Sequence, residues 1–173
     1  MKTLFLLRHC EANQFDEKTT DHNKELNEKG KNEAILLKKW FEDNNINFDF
    51  ILSSTARRTL ETTYLLFDNI KDKVNKKKEL YLCGYKEIIK ELKLLDNNLN
   101  NTLVVGHEPS ISETLRFLIA SFRPDLGYVS NSLYPTGGLA ILHFSIKSWT
   151  DLDEKTGVLD AFIAPDYLKQ NEQ

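Results

Sequence analysis

The stretch Leu4-Phe5-Leu6-Leu7-Arg8-His9-Cys10-Glu11-Ala12 decides how the rest of the chain is read. Its apolar run is too short for anything but a buried strand, and it delivers an arginine and a histidine side by side at its carboxyl end. Successive strand residues point to opposite faces of a sheet. Arg8 and His9 can therefore serve one ligand only where the strand ends and the backbone turns. Open α/β sheets build their ligand sites along that edge.

Outward from this strand, helical spacing of Ala34, Leu37, Trp40 and Phe41 marks a helix over 26–43. Phe48-Asp49-Phe50-Ile51-Leu52 reads as a second buried strand. Ser53-Ser54-Thr55 then offers capping hydroxyls to a helix with Leu60, Tyr64 and Phe67 on one face. A strand at 79–82 and a helix at 85–95, striped by Ile88, Leu92 and Leu95, form a third unit. Thr102-Leu103-Val104-Val105 is a buried strand, and Gly106-His107-Glu108-Pro109 turns into a helix over 110–120. Pro109 and the Ser110-x-x-Glu113 spacing both suit that helix start. Pro135-Thr136-Gly137-Gly138 leads to a strand at Leu139–Phe144, expected to pair antiparallel with another at 158–163. Residues from Leu168 are expected to be loose. Strands alternating with helices predict an α/β fold: a three-layer α/β/α sandwich, one domain over 1–173, whose mainly parallel sheet has an antiparallel edge.

The bulk properties narrow the function. With 173 residues the chain can bury a proper core. Its 23 basic residues are balanced by 26 acidic ones, a net charge of -3, so neither a nucleic acid nor a membrane surface is an expected partner. The one basic excess, Lys71-Asp72-Lys73-Val74-Asn75-Lys76-Lys77-Lys78, reads as a solvated loop. No leader or membrane-spanning run is seen, and a cytoplasmic location is expected. Cys10 and Cys83 match no metal-ligand spacing and are read as free thiols.

Three segments share one structural address. Arg8-His9 follows the first strand, Ser54-Thr55-Ala56-Arg57-Arg58 the second, and Gly106-His107 the strand at 102–105. Cationic groups gathered on one rim repel each other unless an anion binds among them. Helix starts at two of these places add free backbone N–H groups, and guanidinium groups match phosphate oxygens two at a time. A phosphoryl group is thus the expected ligand. The chain has no Gly-rich loop ending in Lys-Ser/Thr. It has no Cys with Arg six residues on, since Asp16 follows Cys10 and Ile89 follows Cys83 at that distance, and no compact Asp/His cluster for two metals. Histidine remains as the nucleophile, with no metal or other cofactor expected.

These residues carry a family resemblance. Leu7-Arg8-His9-Cys10-Glu11-Ala12 resembles the Arg-His-Gly-Glu signature of the histidine phosphatase superfamily, the phosphoglycerate-mutase-like group. Leu26-Asn27-Glu28-Lys29-Gly30 resembles its Leu-Thr-x-x-Gly helix start. Ser53-Ser54-Thr55-Ala56-Arg57-Arg58-Thr59-Leu60-Glu61-Thr62 resembles its Ser-Ser-Pro-x-x-Arg-Ala-x-x-Thr segment, and Gly106-His107-Glu108-Pro109 its Gly-His-x-Pro. Tyr134-Pro135-Thr136-Gly137-Gly138 and the strand from Gly157 are similar to the compact SixA-type phosphohistidine phosphatases. The resemblance implies His9 as nucleophile, with Arg8, Arg58 and His107 binding the phosphoryl oxygens. Arg58 fits the pattern better than Arg57, because it lies four residues after Ser54 and four before Thr62.

The implied substrate is a phosphohistidine-bearing partner protein. The alternatives are a small phosphate ester, or a phospho-ligand-binding module with vestigial activity. Two features depart from the pattern. Cys10 stands at the usual Gly position, either as a tolerated small residue or as a redox-sensitive thiol through which peroxide would inhibit. The family's general acid has no clear counterpart, Glu79 and Glu11 being the candidates. A missing acid favours P–N over P–O substrates, because an imidazole leaves more readily than an alkoxide. The short span from Leu82 to Thr102 leaves no room for a lid.

Overall fold

The structure, a computed structural model, describes residues 1–14, 17–67, 74–127, 129 and 133–170. Strand β1 (Lys2–Arg8) is buried on both faces, and its alternation divides the core in two. Leu4 and Leu6 pack with Ile88, Leu92, Ile111 and Leu115 on one side of the sheet. Phe5 and Leu7 pack with Ala34, Leu37, Phe41 and Leu66 on the other. Each fully buried leucine contributes about 1.5–3 kcal/mol relative to exposure. The helices that supply these partners are α1 (Glu28–Asp43) and α2 (Arg57–Leu66) on one face, and α3 (Tyr85–Lys93) and α4 (Ser110–Leu118) on the other. The three-layer α/β/α arrangement is the one the sequence predicts.

The remaining strands are β2 (Phe50–Ser54), β3 (Val74–Lys77), β4 (Asn101–Gly106), β5 (Ile119–Phe122), β6 (Leu139–Phe144) and β7 (Gly157–Ile163), in the order β3-β2-β4-β1-β6-β7-β5. β1 pairs parallel with β4, β4 with β2, and β2 with β3. β6 runs antiparallel to both β1 and β7, as expected from the sequence, and β5 is parallel to β7. The antiparallel strand thus lies inside the sheet rather than at its edge. β6 is enclosed because it pairs with β1 on one side and β7 on the other. β5, which sequence reading takes as the end of the helix over 110–120, adds an edge strand beyond β7 after the chain leaves α4 at Leu118. Among the described residues no helix is long and apolar enough to cross a membrane.

Other boundaries shift for identifiable reasons. The strand expected at 79–82 is β3, with only Val74 buried and Asn75 and Lys76 exposed, so it carries no alternation to read. Lys78–Leu80 form a 3-10 turn instead. The basic stretch is therefore part strand and part turn from Val74 on, while residues 71–73 lie outside the described residues. The chain end is not loose from Leu168: α5 (Pro165–Gln170) packs Leu168 against the α1 side of the core, and 171–173 lie outside the described residues.

The face of α2 is the largest correction. Leu60, Tyr64 and Phe67 are only half-buried, and the buried face is Arg58, Thr59, Thr62, Thr63 and Leu66. A threonine face can be buried because each hydroxyl donates to a nearby carbonyl: Thr59 to Ser54 and Ala56, Thr62 to Arg58, and Thr63 to Thr59. The expected serine cap is also replaced. Ala56 stands at the N-cap without a side-chain bond, and Ser54 Oγ accepts from Ala56 N at 3.3 Å.

Tyr134 ties the 134–138 turn to the centre of the sheet. Its buried hydroxyl donates to Leu6 O at 2.5 Å and accepts from Ala140 N at 3.0 Å. Tyr134→Phe strips both bonds without changing shape, and an expected loss of about 1–3 kcal/mol is read from urea unfolding midpoints.

Candidate active site

The end of β1 is held on both sides by its neighbours. Arg8 N donates to Gly138 O and His9 N to Gly106 O, each at 3.0 Å, while His9 O accepts from Gly137 N at 3.1 Å. Gly137 has φ +65, and a Cβ there would lie 2.7 Å from Pro165 Cγ, so this turn requires glycine. The strand therefore ends where its two partners turn away, and Arg8 and His9 come to one place.

His9 is 9% exposed, and its Nδ1 lies 2.7 Å from Cys10 O. A carbonyl only accepts, so Nδ1 carries the proton and Nε2 keeps its lone pair. Arg58 donates its Nε–H to that Nε2 at 3.3 Å, which fits the same tautomer. The buried Arg58 comes from the first turn of α2. Its Nη1 donates to Asp21 O at 2.6 Å and its Nη2 to Asp21 Oδ2 at 3.0 Å. Arg57, by contrast, is exposed and pairs with Glu25 and Glu61.

His107 follows β4, buried, with its ring centroid 5.2 Å from that of His9 and its Nε2 2.9 Å from Ser54 Oγ. Arg8 donates through Nη1 to Tyr134 O at 2.6 Å. Arg8 Nε and His107 Nδ1 are buried with no hydrogen-bond partner. They are two of the three such side-chain atoms among the described residues, the third being Thr102 Oγ1. An unpaired buried polar atom costs about 1–3 kcal/mol, so two at one site mark where a ligand would bind.

Burial, first of all, lowers the pKa of both histidines, and the nearby guanidinium groups add to it. His9 falls to about 4; His107, which also faces His9, falls to about 3. Both imidazoles are neutral at pH 7, so the charge of the site rests on Arg8 and Arg58 against Asp21. Asp21 is held well below the ordinary carboxylate range by hydrogen bonds from Tyr81, Lys24 and Arg58. Because the unfolded chain takes up these protons near the ordinary value, the two rings make stability fall as pH drops from about 6.5 toward 4.

The structure brings together His9, Arg8, Arg58 and His107. It does not bring the two general-acid candidates to them. Glu11 is tied to the first turn of α1, accepting from Asn27 Nδ2 at 2.9 Å and Lys29 Nζ at 2.5 Å, and these bonds lower its pKa. Its backbone is packed so closely on Gly30 that a Cβ there would lie 1.9 Å from Glu11 O, which explains the glycine of the helix-start motif. Glu79 is exposed and borders a groove with Cys83, Tyr85, Lys90 and Glu113, in which none of the four site residues takes part.

Four contributors were missed in the sequence. Asp21 and Tyr81 sit on Arg58, in segments read as a polar loop and as a strand. Tyr134 holds Arg8, and buried Glu33 accepts from Glu11 N and Thr136 Oγ1. Each acts through partners distant along the chain, so no local spacing could show it. The helix-start reading after Gly106 also changes partners. Glu108, not Ser110 with Glu113, accepts from Ser112 N, and Ser110 Oγ donates to His107 O.

Cys10 has a φ outside the left-handed region; among the described residues only Asn45, Leu82 and Lys155 adopt it without being glycine. The position therefore does not need glycine. The thiol is fully buried, and burial pushes its pKa well above the usual range, so thiolate is suppressed. Both features weigh against the redox-sensitive reading. The small-residue reading stands, with Cys10 N bonded to Thr62 Oγ1 at 3.0 Å.

A family model described as the histidine phosphatase superfamily (branch 1) matches residues 4–89. An uncharacterized protein of Mycobacterium leprae is 30% identical over 163 residues, covering 92% of this chain and 99% of its own length. The chain belongs to the histidine phosphatase superfamily. Among solved structures, a protein assigned as the phosphohistidine phosphatase SixA of Nakamurella multipartitia superposes with a TM-score of 0.81. It is 28% identical, over 95% of this chain and 96% of that one. A protein with the same assignment from Agrobacterium tumefaciens gives 0.78 at 28% identity, over 95% and 98%. In this histidine phosphatase the family's Gly-His-x-Pro and Arg-His segments thus meet at the ends of adjacent parallel strands.

Two outcomes are expected. In an NMR titration of the phosphate-free protein, the His9 and His107 rings stay neutral as pH is lowered through about 5, with no inflection near the ordinary histidine value. Wild type and Cys10→Ala lose activity to peroxide at the same rate, because a buried neutral thiol does not react.

Proposed function

We propose that this protein is a phosphatase in which His9 Nε2 attacks the phosphoryl group, and that its substrate is phosphohistidine on a partner protein. One observation carries the reading: the Nδ1–H of His9 is committed to Cys10 O, which leaves Nε2 unprotonated at pH 7, with its lone pair next to Arg58. In the first step the bond from phosphorus to the substrate nitrogen breaks as one to His9 Nε2 forms. Water then cleaves the phosphohistidine and regenerates the ring. Arg8 and Arg58 offset the charge that develops on the phosphoryl oxygens, which is the main demand of such a transition state. His107 supplies a neutral hydrogen-bonding group beside them. No metal or other cofactor takes part.

The substrate class follows from proton supply. Of the candidate acids, Glu11 is anionic and bound to Lys29, and Glu79 is exposed and lines a groove that none of the four site residues lines. An alkoxide leaving group needs a proton from such an acid, whereas a phosphorylated imidazole takes a proton from solvent on its other ring nitrogen and leaves as a neutral ring. Between Leu82 and Asn101 the chain forms only α3 and a connector, so a phosphorylated side chain on a protein surface can reach the site. The two relatives assigned as SixA support the same substrate. A small phosphate ester is the second reading, since that class is handled on the same fold.

The test is a trap. Wild type is expected to form an acid-labile, alkali-stable phosphoenzyme that is absent in His9→Ala. With a chelator present, turnover of a phosphohistidine protein is expected to exceed that of an aryl phosphate. Faster ester hydrolysis would favour the second reading, and loss of turnover with chelator would rule out a metal-free route.

A further inference from the structure

Asp21 lies in a 3-10 turn, Asp21–Asn23, far from the motifs that define the site, yet it makes the closest contacts to Arg58. Of the five N–H donors of a guanidinium, three are engaged: Nε–H on His9 Nε2, one Nη1–H on Asp21 O, and one Nη2–H on Asp21 Oδ2. Two remain for phosphoryl oxygens. The turn is itself fixed from several directions. Tyr81 OH donates to Asp21 Oδ2 at 2.7 Å, and Lys24 Nζ lies 3.2 Å from Asp21 Oδ1. His22 Nε2 lies 3.0 Å from Thr55 Oγ1, and its ring packs edge-on against that of Tyr81 at 4.8 Å. The Tyr81 ring in turn lies 5.9 Å from the Arg58 guanidinium carbon and 5.6 Å from the His107 ring.

A buried arginine next to a second arginine needs a counter-charge, and a long side chain with no fixed partners would sample several rotamers. Asp21 meets both needs at once. We propose that Asp21 is the positioning residue of Arg58: its carbonyl and carboxylate grip the outer edge of the guanidinium, with Tyr81 bracing the carboxylate, so that Nε and two free N–H groups are aimed at the nucleophile and the incoming phosphoryl group. The inference rests on the reading of Arg58 as a phosphate ligand. It assigns to the loop after β1 a role in the reaction that none of the sequence motifs covers.

The experiment is a double-mutant cycle on the full chain, with Asp21→Asn, Arg58→Ala and the double variant. The dissociation constant for inorganic phosphate is measured by calorimetry, and kcat and KM on an aryl phosphate. Asp21→Asn is expected to weaken phosphate binding and lower kcat/KM by about tenfold or more in the wild-type background. In the Arg58→Ala background it should change either by less than about twofold, because its target is gone. The Arg58 Nε–H resonance, sharp in the wild type, should broaden in Asp21→Asn. Tyr81→Phe, which removes a single bond to the carboxylate, should give a smaller loss that also disappears without Arg58. Wild-type behaviour of Asp21→Asn, or an equal loss in both backgrounds, overturns the proposal. Unchanged phosphate binding in Arg58→Ala would instead overturn the assignment of Arg58, and the inference with it.

Discussion

Two backbone hydrogen bonds at the end of β1, from Arg8 N to Gly138 O and from His9 N to Gly106 O, hold the site in place. A strand delivers successive side chains to opposite faces. An arginine and a histidine adjacent in sequence can act together only if the ladder stops between or just after them while the backbone stays anchored. Here β4 ends and β6 begins beside glycines at that level, so the anchor comes from both sides. The fold depends on the same strand, since Leu4 and Leu6 build one half of the core and Phe5 and Leu7 the other.

The second constraint is the burial of charge and polarity. Arg58, His9, His107 and a threonine face on α2 lie where a hydrophobic core would otherwise be. Each is tolerated through a specific partner. The threonines satisfy themselves on nearby carbonyls, and Thr62 also receives Cys10 N, which links the loop after His9 to the helix that carries Arg58. The histidines are neutral because burial disfavours their charged form. Of these buried groups Arg58 is the charged one, and Asp21 balances it. Polar groups so placed are fixed in geometry before any ligand arrives, which is the arrangement that electrostatic catalysis requires.

Much of this was readable along the chain, and the limits are physical. β1, β4, β6 and β7 are legible because buried strands have to be apolar, and α1 because Ala34, Leu37 and Phe41 repeat at helical spacing. α2 misled, since Leu60 and Tyr64 have that spacing yet stay half-buried while threonines take the inner face. β3 and β5 were misplaced because short edge strands bury few residues and carry little pattern. At the site, residue type and position at strand ends point to Arg8, His9, His107 and the Arg57-Arg58 pair, and the family pattern singles out Arg58. Glu11 and Glu79 were kept as acids because a carboxylate in sequence does not show whether a lysine already holds it.

By itself the sequence determined the α/β class and the three strand ends at which Arg8-His9, Arg58 and His107 stand. These are local properties, written in periodicity and in residue types a few positions apart. Only the tertiary structure decided the tautomer of His9, the burial of Cys10 and the partner of Arg58. Each of those depends on burial or on a contact between distant segments, such as Asp21 with Arg58 or Thr62 with Cys10. Desolvation and hydrogen bonding act through space, and they become defined only once the chain has closed around them.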